Sequence, residues 1–186
     1  MIKIENVEAI LQKPEIEIGL KKYQYLMKIL RETDVTSDKE YQNVFRDFYQ
    51  MRRFYSDEFA QHYFHLMEQM KYTKNMTFGM AMERVKHIQC TYEISFSSKL
   101  AHTINPRHPI WDSVVTGKHF QIKAPYASTK DREKACCQKY AEYEEKFYNY
   151  MSSTEGQELI VKFDQRFPNN GISDIKKIDF ILWQDR

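Results

Sequence analysis

Apolar residues recur at spacings of three and four along nearly the whole chain, a period that predicts helices and not strands. Residues 3–12 read as one helix and 15–33 as a second. The second is opened by Pro14 at a permitted first-turn position and carries Ile18, Leu20, Tyr23, Leu26, Met27 and Leu30 at helical spacing. Ser37 with Glu40 is a capping-box pattern before a helix through Tyr41, Phe45, Phe48 and Met51, closed by Arg52-Arg53. Ser56 or Asp57 caps the next, where Phe59, Tyr63, Phe64, Met67 and Met70 form a broad apolar face, and Thr77 starts another through Met82, Val85 and Ile88. Beyond residue 113 the pattern predicts a short helix over Ser113–Phe120, a loop over Gln121–Lys130 and a long tyrosine-rich helix over Asp131–Met151. Two more helices follow, one capped by Ser153 or Thr154 and one opened by Ser173, with Ile175, Ile178, Ile181 and Leu182 facing inward. The expectation is an all-α fold, either one helical domain over residues 1–186 or two small lobes sharing a core with a cleft near 95–113.

Composition narrows the class without naming it. Of 186 residues 42% are hydrophobic and 15% aromatic, enough to fill a core, so disorder is not expected. No Asn-Gly or Asp-Gly pair sits between alternating apolar runs, so the hairpin signals of an all-β protein are missing. No apolar run approaches the roughly 20 residues that span a bilayer, and the charged N-terminus lacks a signal-peptide core, which predicts a cytoplasmic protein with no membrane partner. Cys90, Cys136 and Cys137 have no C-x-x-C spacing and read as reduced thiols, with neither a disulfide framework nor a zinc site. His62 and His65 are offset by three, not the four that faces two ligands on one helix side, so no metal site is expected there. Net charge is only +2, but residues 95–140 hold eight lysines and arginines against three acids. This local excess is either a solvated helix face or an electrostatic footprint for a polyanion.

That basic stretch contains the most informative segment, SFSSKLAHTINPRHPIWDS at 95–113. It reads as a helix carrying Leu100 and Ile104, stopped by Asn105-Pro106, because proline cannot continue the hydrogen-bond ladder and disfavours helical geometry before it. Pro109 keeps the link stiff, Ile110-Trp111 anchors the return into the core, and Asp112-Ser113 precedes Val114-Val115 where N-cap side chains belong. The Asp112 carboxylate is thus presented at a helix mouth.

This arrangement resembles the helix-hairpin-helix superfamily of base-excision DNA glycosylases. On that resemblance Ser95-Phe96-Ser97 falls where the family's hairpin glycines sit, Lys99 on the lysine of its lyase members, and Trp111-Asp112-Ser113 on its aspartate motif. Lys176 to Trp183 looks like the closing helix of some members. The resemblance implies double-stranded DNA as partner, with Ser95, Ser97, Ser98, Arg107, Lys118 and Lys123 at the DNA, and Trp111 and His102 walling a pocket for an extruded nucleotide. Asp112 and Lys99 would then be the catalytic pair, removing a damaged or mismatched base with an optional lyase step. No cofactor is implied, and three cysteines cannot supply the four thiolates of the iron–sulfur cluster that some members carry. Both hairpin glycines are replaced by serine, and the loop before Asp112 is shorter than in typical members.

Blander readings of the same residues stand beside these. Asp112 also fits a plain N-cap, Lys99 a solvated helix residue, and His102 and His108 surface positions. Three functions therefore remain open: a DNA glycosylase or glycosylase/lyase, a non-catalytic helical DNA-binding protein, and a helical protein-interaction module.

Overall fold

The computed structural model describes residues 6–51, 56–89 and 93–185, and within them the fold is all-helical. In order the helices are α1 (Val7–Leu11), α2 (Pro14–Ile29), α3 (Lys39–Phe48), α4 (Asp57–Met70), α5 (Phe78–Gln89), α6 (Ile94–Ile104), α7 (Arg132–Met151), α8 (Thr154–Arg166) and α9 (Asp174–Gln184). A π-helical turn, Val115–His119, lies between α6 and α7. Arg52, Arg53, Cys90, the start of the first predicted helix and the side chain of Ile88 lie outside the described residues. No helix among those described is long and apolar enough to cross a membrane.

Cap chemistry explains most boundaries. Ser56, Ser153 and Ser173 accept the backbone N–H of Phe59, Gly156 and Lys176, satisfying donors that have no partner inside the helix. At α3 the cap is Asp38, whose carboxylate accepts from Tyr41 N at 2.9 Å, and not Ser37, whose hydroxyl turns back to the Asp34 carbonyl. α2 stops at Ile29, earlier than the periodicity suggests. The predicted helix over 113–120 becomes the π turn.

Three apolar clusters make the interior. One joins α3, α4, α5 and α6 through Tyr41, Phe45, Tyr63, Phe64, Met67 and Leu100. A second joins α7 and α9 to the segment after α6 through Trp111, Phe120, Tyr143, Phe147 and Ile178. The third joins α1, α2, α8 and α9 through Ile16, Leu20, Phe163 and Ile181. Apolar area of this kind is the main source of stability, at roughly 25 cal/mol per Å² buried.

The segment from Asn105 to Asp112 crosses between clusters as irregular chain, and side chains satisfy many of its backbone polar groups. Tyr148, Tyr140 and Tyr143 of α7 donate to the carbonyls of Arg107 (2.6 Å), Pro109 (2.7 Å) and Ile110 (3.0 Å), and His102 bonds the carbonyl of His108 at 2.7 Å. Trp111 N donates to Ser98 Oγ at 2.9 Å, and Asn105 Nδ2 to the Met76 carbonyl at 3.1 Å. His108 completes the clamp, with Nδ1 2.8 Å from Glu144 and Nε2 2.7 Å from the Met76 carbonyl.

The Glu144 carboxylate holds the His108 imidazolium above its ordinary pKa of 6.5, against the opposing effect of burial. A histidine raised on folding contributes stability below its unfolded pKa and loses it as pH climbs through the folded one. The expected result is that wild type exceeds Glu144→Gln in urea-unfolding stability by about 1 kcal/mol below pH 6.5, a gap that closes as pH rises.

Candidate functional site

All of α6 except Ser95 is buried, so each of its buried polar side chains needs a partner. Ser97 donates to the Glu93 carbonyl at 2.8 Å, Ser98 to the Ser95 carbonyl at 2.8 Å, and Thr103 to the Lys99 carbonyl at 2.7 Å. His102, 0% exposed, has Nδ1 2.7 Å from the His108 carbonyl and Nε2 2.9 Å from the Tyr23 hydroxyl. Burial pushes its pKa down to about 3, so the ring is neutral, with Nδ1–H donating and Nε2 accepting.

Lys99 is the exception. It is 9% exposed, and its Nζ has no hydrogen-bond or ion-pair partner among the described residues. It lies 5.0 Å from the Phe96 ring centre and 5.9 Å from that of Tyr49. Burial drives the amine down to about 8, opposed by Asp112 and Asp179 and assisted by Lys176. A lysine at this value has an appreciable free-base fraction near neutrality, which an exposed lysine lacks.

Lys99 and Asp112 line one cavity of about 240 Å³ where the three apolar clusters meet. α2 contributes Glu15, Ile18, Gly19 and Lys22, the end of α3 Asp47, Phe48 and Tyr49, and α9 Lys176, Asp179, Phe180 and Trp183. The volume is below the roughly 300–1,000 Å³ of drug-sized sites and suits a single small ring system. Asp112 sits where the pinned segment enters the π turn. Its Oδ1 accepts from Val114 N at 2.8 Å, while Oδ2 takes no hydrogen bond among the described residues. The carboxylate is at once an N-cap and a cavity group.

α9 presents a charged stripe to the same space. Lys176 and Asp179 are 3% and 6% exposed and paired at 2.6 Å, and burial pushes the Asp179 carboxyl up while Lys176 opposes the shift. Positions 176, 179, 180 and 183 follow the i, i+3, i+4, i+7 spacing of one helix face, a signal the sequence carries and that the apolar count of Ile175, Ile178, Ile181 and Leu182 hides. Phe48, placed in the apolar pattern of its helix by periodicity, walls the cavity as well, together with Tyr49.

The remaining predicted residues are placed elsewhere. Trp111 is buried edge-on against Tyr143 at 5.5 Å and His102 is enclosed, and neither lines the cavity. Ser97 and Ser98 are inside α6 and Ser95 is half-buried, so these serines serve packing and helix geometry and do not form an open phosphate nest. Arg107, Lys118 and Lys123 are exposed, with Lys118 bonded to Asp185. Among the described residues no cluster of three or more His, Cys, Asp or Glu side chains could hold a metal ion. No protein family, curated protein or solved structure matches the chain.

A cation buried without a partner lowers stability, so the site is held at the expense of the fold. The unfolded amine titrates near 10.5 and the folded one near 8, so the unfolded state binds the extra proton and stability rises with pH between these values. Lys99→Met is expected to raise stability at pH 7 by on the order of 2–3 kcal/mol. Denaturant melts of the variant should also lack the wild-type rise above pH 8.

Proposed function

We propose that the chain is a DNA glycosylase with lyase activity, in which Lys99 is the nucleophile and Asp112 the carboxylate that faces the reacting sugar. The single observation that carries this reading is the buried amine without an ion-pair partner in one small cavity with Asp112. A glycosidic bond is unreachable inside a duplex, so the damaged or mismatched nucleotide must be turned out of the stack to enter. The aromatic walls from Phe48, Tyr49, Phe180 and Trp183 suit a flat base.

The chemistry balances with these groups and water. The lone pair of Lys99 Nζ forms a bond to sugar C1′ as the C1′–N bond breaks, its electron pair leaving with the base, which takes a proton from solvent. Asp112 stabilises the positive charge that builds on the sugar. Loss of the nitrogen proton and opening of the C1′–O4′ bond give an iminium and a free 4′-hydroxyl. Loss of the C2′ proton to water forms the C2′–C3′ double bond as the C3′–O bond breaks and the 3′-phosphate leaves, which cuts the strand, and water then hydrolyses the imine to free Lys99.

Capping by Asp112 favours a second reading, a helical DNA-binding protein without turnover. Borohydride trapping on duplexes bearing oxidised purines, uracil or an abasic site separates the two. Wild type should give a covalent adduct that Lys99→Ala abolishes and Asp112→Asn slows by about 10²–10⁴-fold. An adduct that survives Lys99→Ala, or is unaffected by Asp112→Asn, contradicts the assigned roles. Salt-dependent duplex binding with no adduct supports the second reading, and no binding at all leaves an interaction module.

A further inference from the structure

Three amines and four carboxylates line the cavity; Lys22 pairs with Asp47 on one wall, and among Lys99, Lys176, Asp112 and Asp179 one ion pair forms among the described residues. Lys176 Nζ is 2.6 Å from Asp179 Oδ2 and lies 4.7, 4.8, 5.1 and 5.9 Å from the ring centres of Phe180, Phe48, Tyr23 and Tyr49. Four rings and a carboxylate fix it in place. Lys99 approaches the same Tyr49 ring at 5.9 Å, so the two ammonium groups flank one side chain. Asp112 is engaged by the N–H of Val114, and Asp179 by Lys176.

We propose that Lys176 is a positioning residue that keeps Asp179 occupied, and thereby leaves the Lys99 amine unpaired and able to act as a nucleophile. This rests on the reading of Lys99 as the nucleophile. A buried carboxylate cannot stay uncompensated, and with Lys176 neutral the other cation facing it is Lys99, on a flexible four-carbon stem. Lys99 would then turn to Asp179, hold its proton and lose its lone pair. The second ammonium also disfavours a charge on Lys99 directly. The charged and titratable groups facing Lys99 are Asp112 after α6, Tyr49 of α3, and Lys176 and Asp179 of α9, with Glu15, Lys22 and Asp47 elsewhere on the cavity wall.

The test needs no DNA, so its outcome is independent of whether a lesion is cleaved. Folded protein is treated with acetaldehyde and cyanoborohydride across pH 6–11, and alkylation of Lys99 is read by peptide mass spectrometry against exposed lysines as internal standards. Lys176→Gln, which keeps a donor for Asp179 without the charge, is expected to slow Lys99 alkylation at pH 8 by about fivefold and move its midpoint upward by about a unit. Lys176→Arg should leave the profile near that of wild type. Lys176→Gln combined with Asp179→Asn should restore reactivity, because no carboxylate is left to capture the amine. If the single Gln variant fails to fold by circular dichroism, Asp179→Asn carries the test and should label Lys99 at least as fast as wild type. Unchanged Lys99 reactivity in folded Lys176→Gln, a double variant as inert as the single, or slowed labelling in Asp179→Asn overturns the proposal. Trapping on DNA that fails while these shifts are seen removes the glycosylase reading and leaves the role of Lys176 standing.

Discussion

An ammonium group enclosed by the fold and left without an ion pair among the described residues is the constraint around which this structure is built. Every other buried polar side chain along α6 finds a near partner, from Ser97 and Ser98 to His102 and Thr103, and Lys99 has none among the described residues. Burial of such a group costs free energy that an apolar residue of the same length would not. Lys99 sits in the middle of a helix whose other buried polar side chains are hydrogen-bonded, and it is the one that the fold leaves unsatisfied among the described residues. Two carboxylates stand close enough to influence it, and each is already committed, Asp179 to Lys176 and Asp112 to the start of the π turn.

Placing Asp112 beside that amine depends on an irregular segment with the rigidity of a regular element. From Arg107 to Ile110 each carbonyl is held by a tyrosine of α7 or by His102, and the Trp111 N–H is held by Ser98. Tyr140, Tyr143 and Tyr148 thereby do for this stretch what a β-ladder does for a strand. The neutral tautomer of His102 is part of the same lattice, because only the neutral ring can donate to the His108 carbonyl and accept from Tyr23 at once. A fixed carboxylate opposite a fixed amine is the geometry that preorganised catalysis requires.

Local physics made much of this legible before any coordinates. Hydrophobic period gave the helices, serine caps gave the starts of α4, α8 and α9, and Asn105-Pro106 gave the end of α6. That Lys99 and Asp112 belong to one site was an expectation from the resemblance alone, and both line one cavity. What the sequence hid is tertiary. His102 owes its burial to Tyr23, 79 residues away, and the loop-clamping tyrosines read only as a composition bias until their hydroxyls met carbonyls more than 30 residues upstream. α9 was visible as a closing helix, yet the charged stripe of Lys176 and Asp179 lay between isoleucines that drew attention to the opposite face. Ser37 lost the α3 cap to Asp38 because a carboxylate one residue on reaches the Tyr41 N–H.

The central claim concerns the protonation of one nitrogen, and nuclear magnetic resonance of the protein with ¹³C-labelled lysine reports it directly. Following the Lys99 Cε shift against pH, with assignment by its loss in Lys99→Met, should give a midpoint near 8. A midpoint at the ordinary 10.5 would mean an amine that is solvated or paired, and would contradict the account.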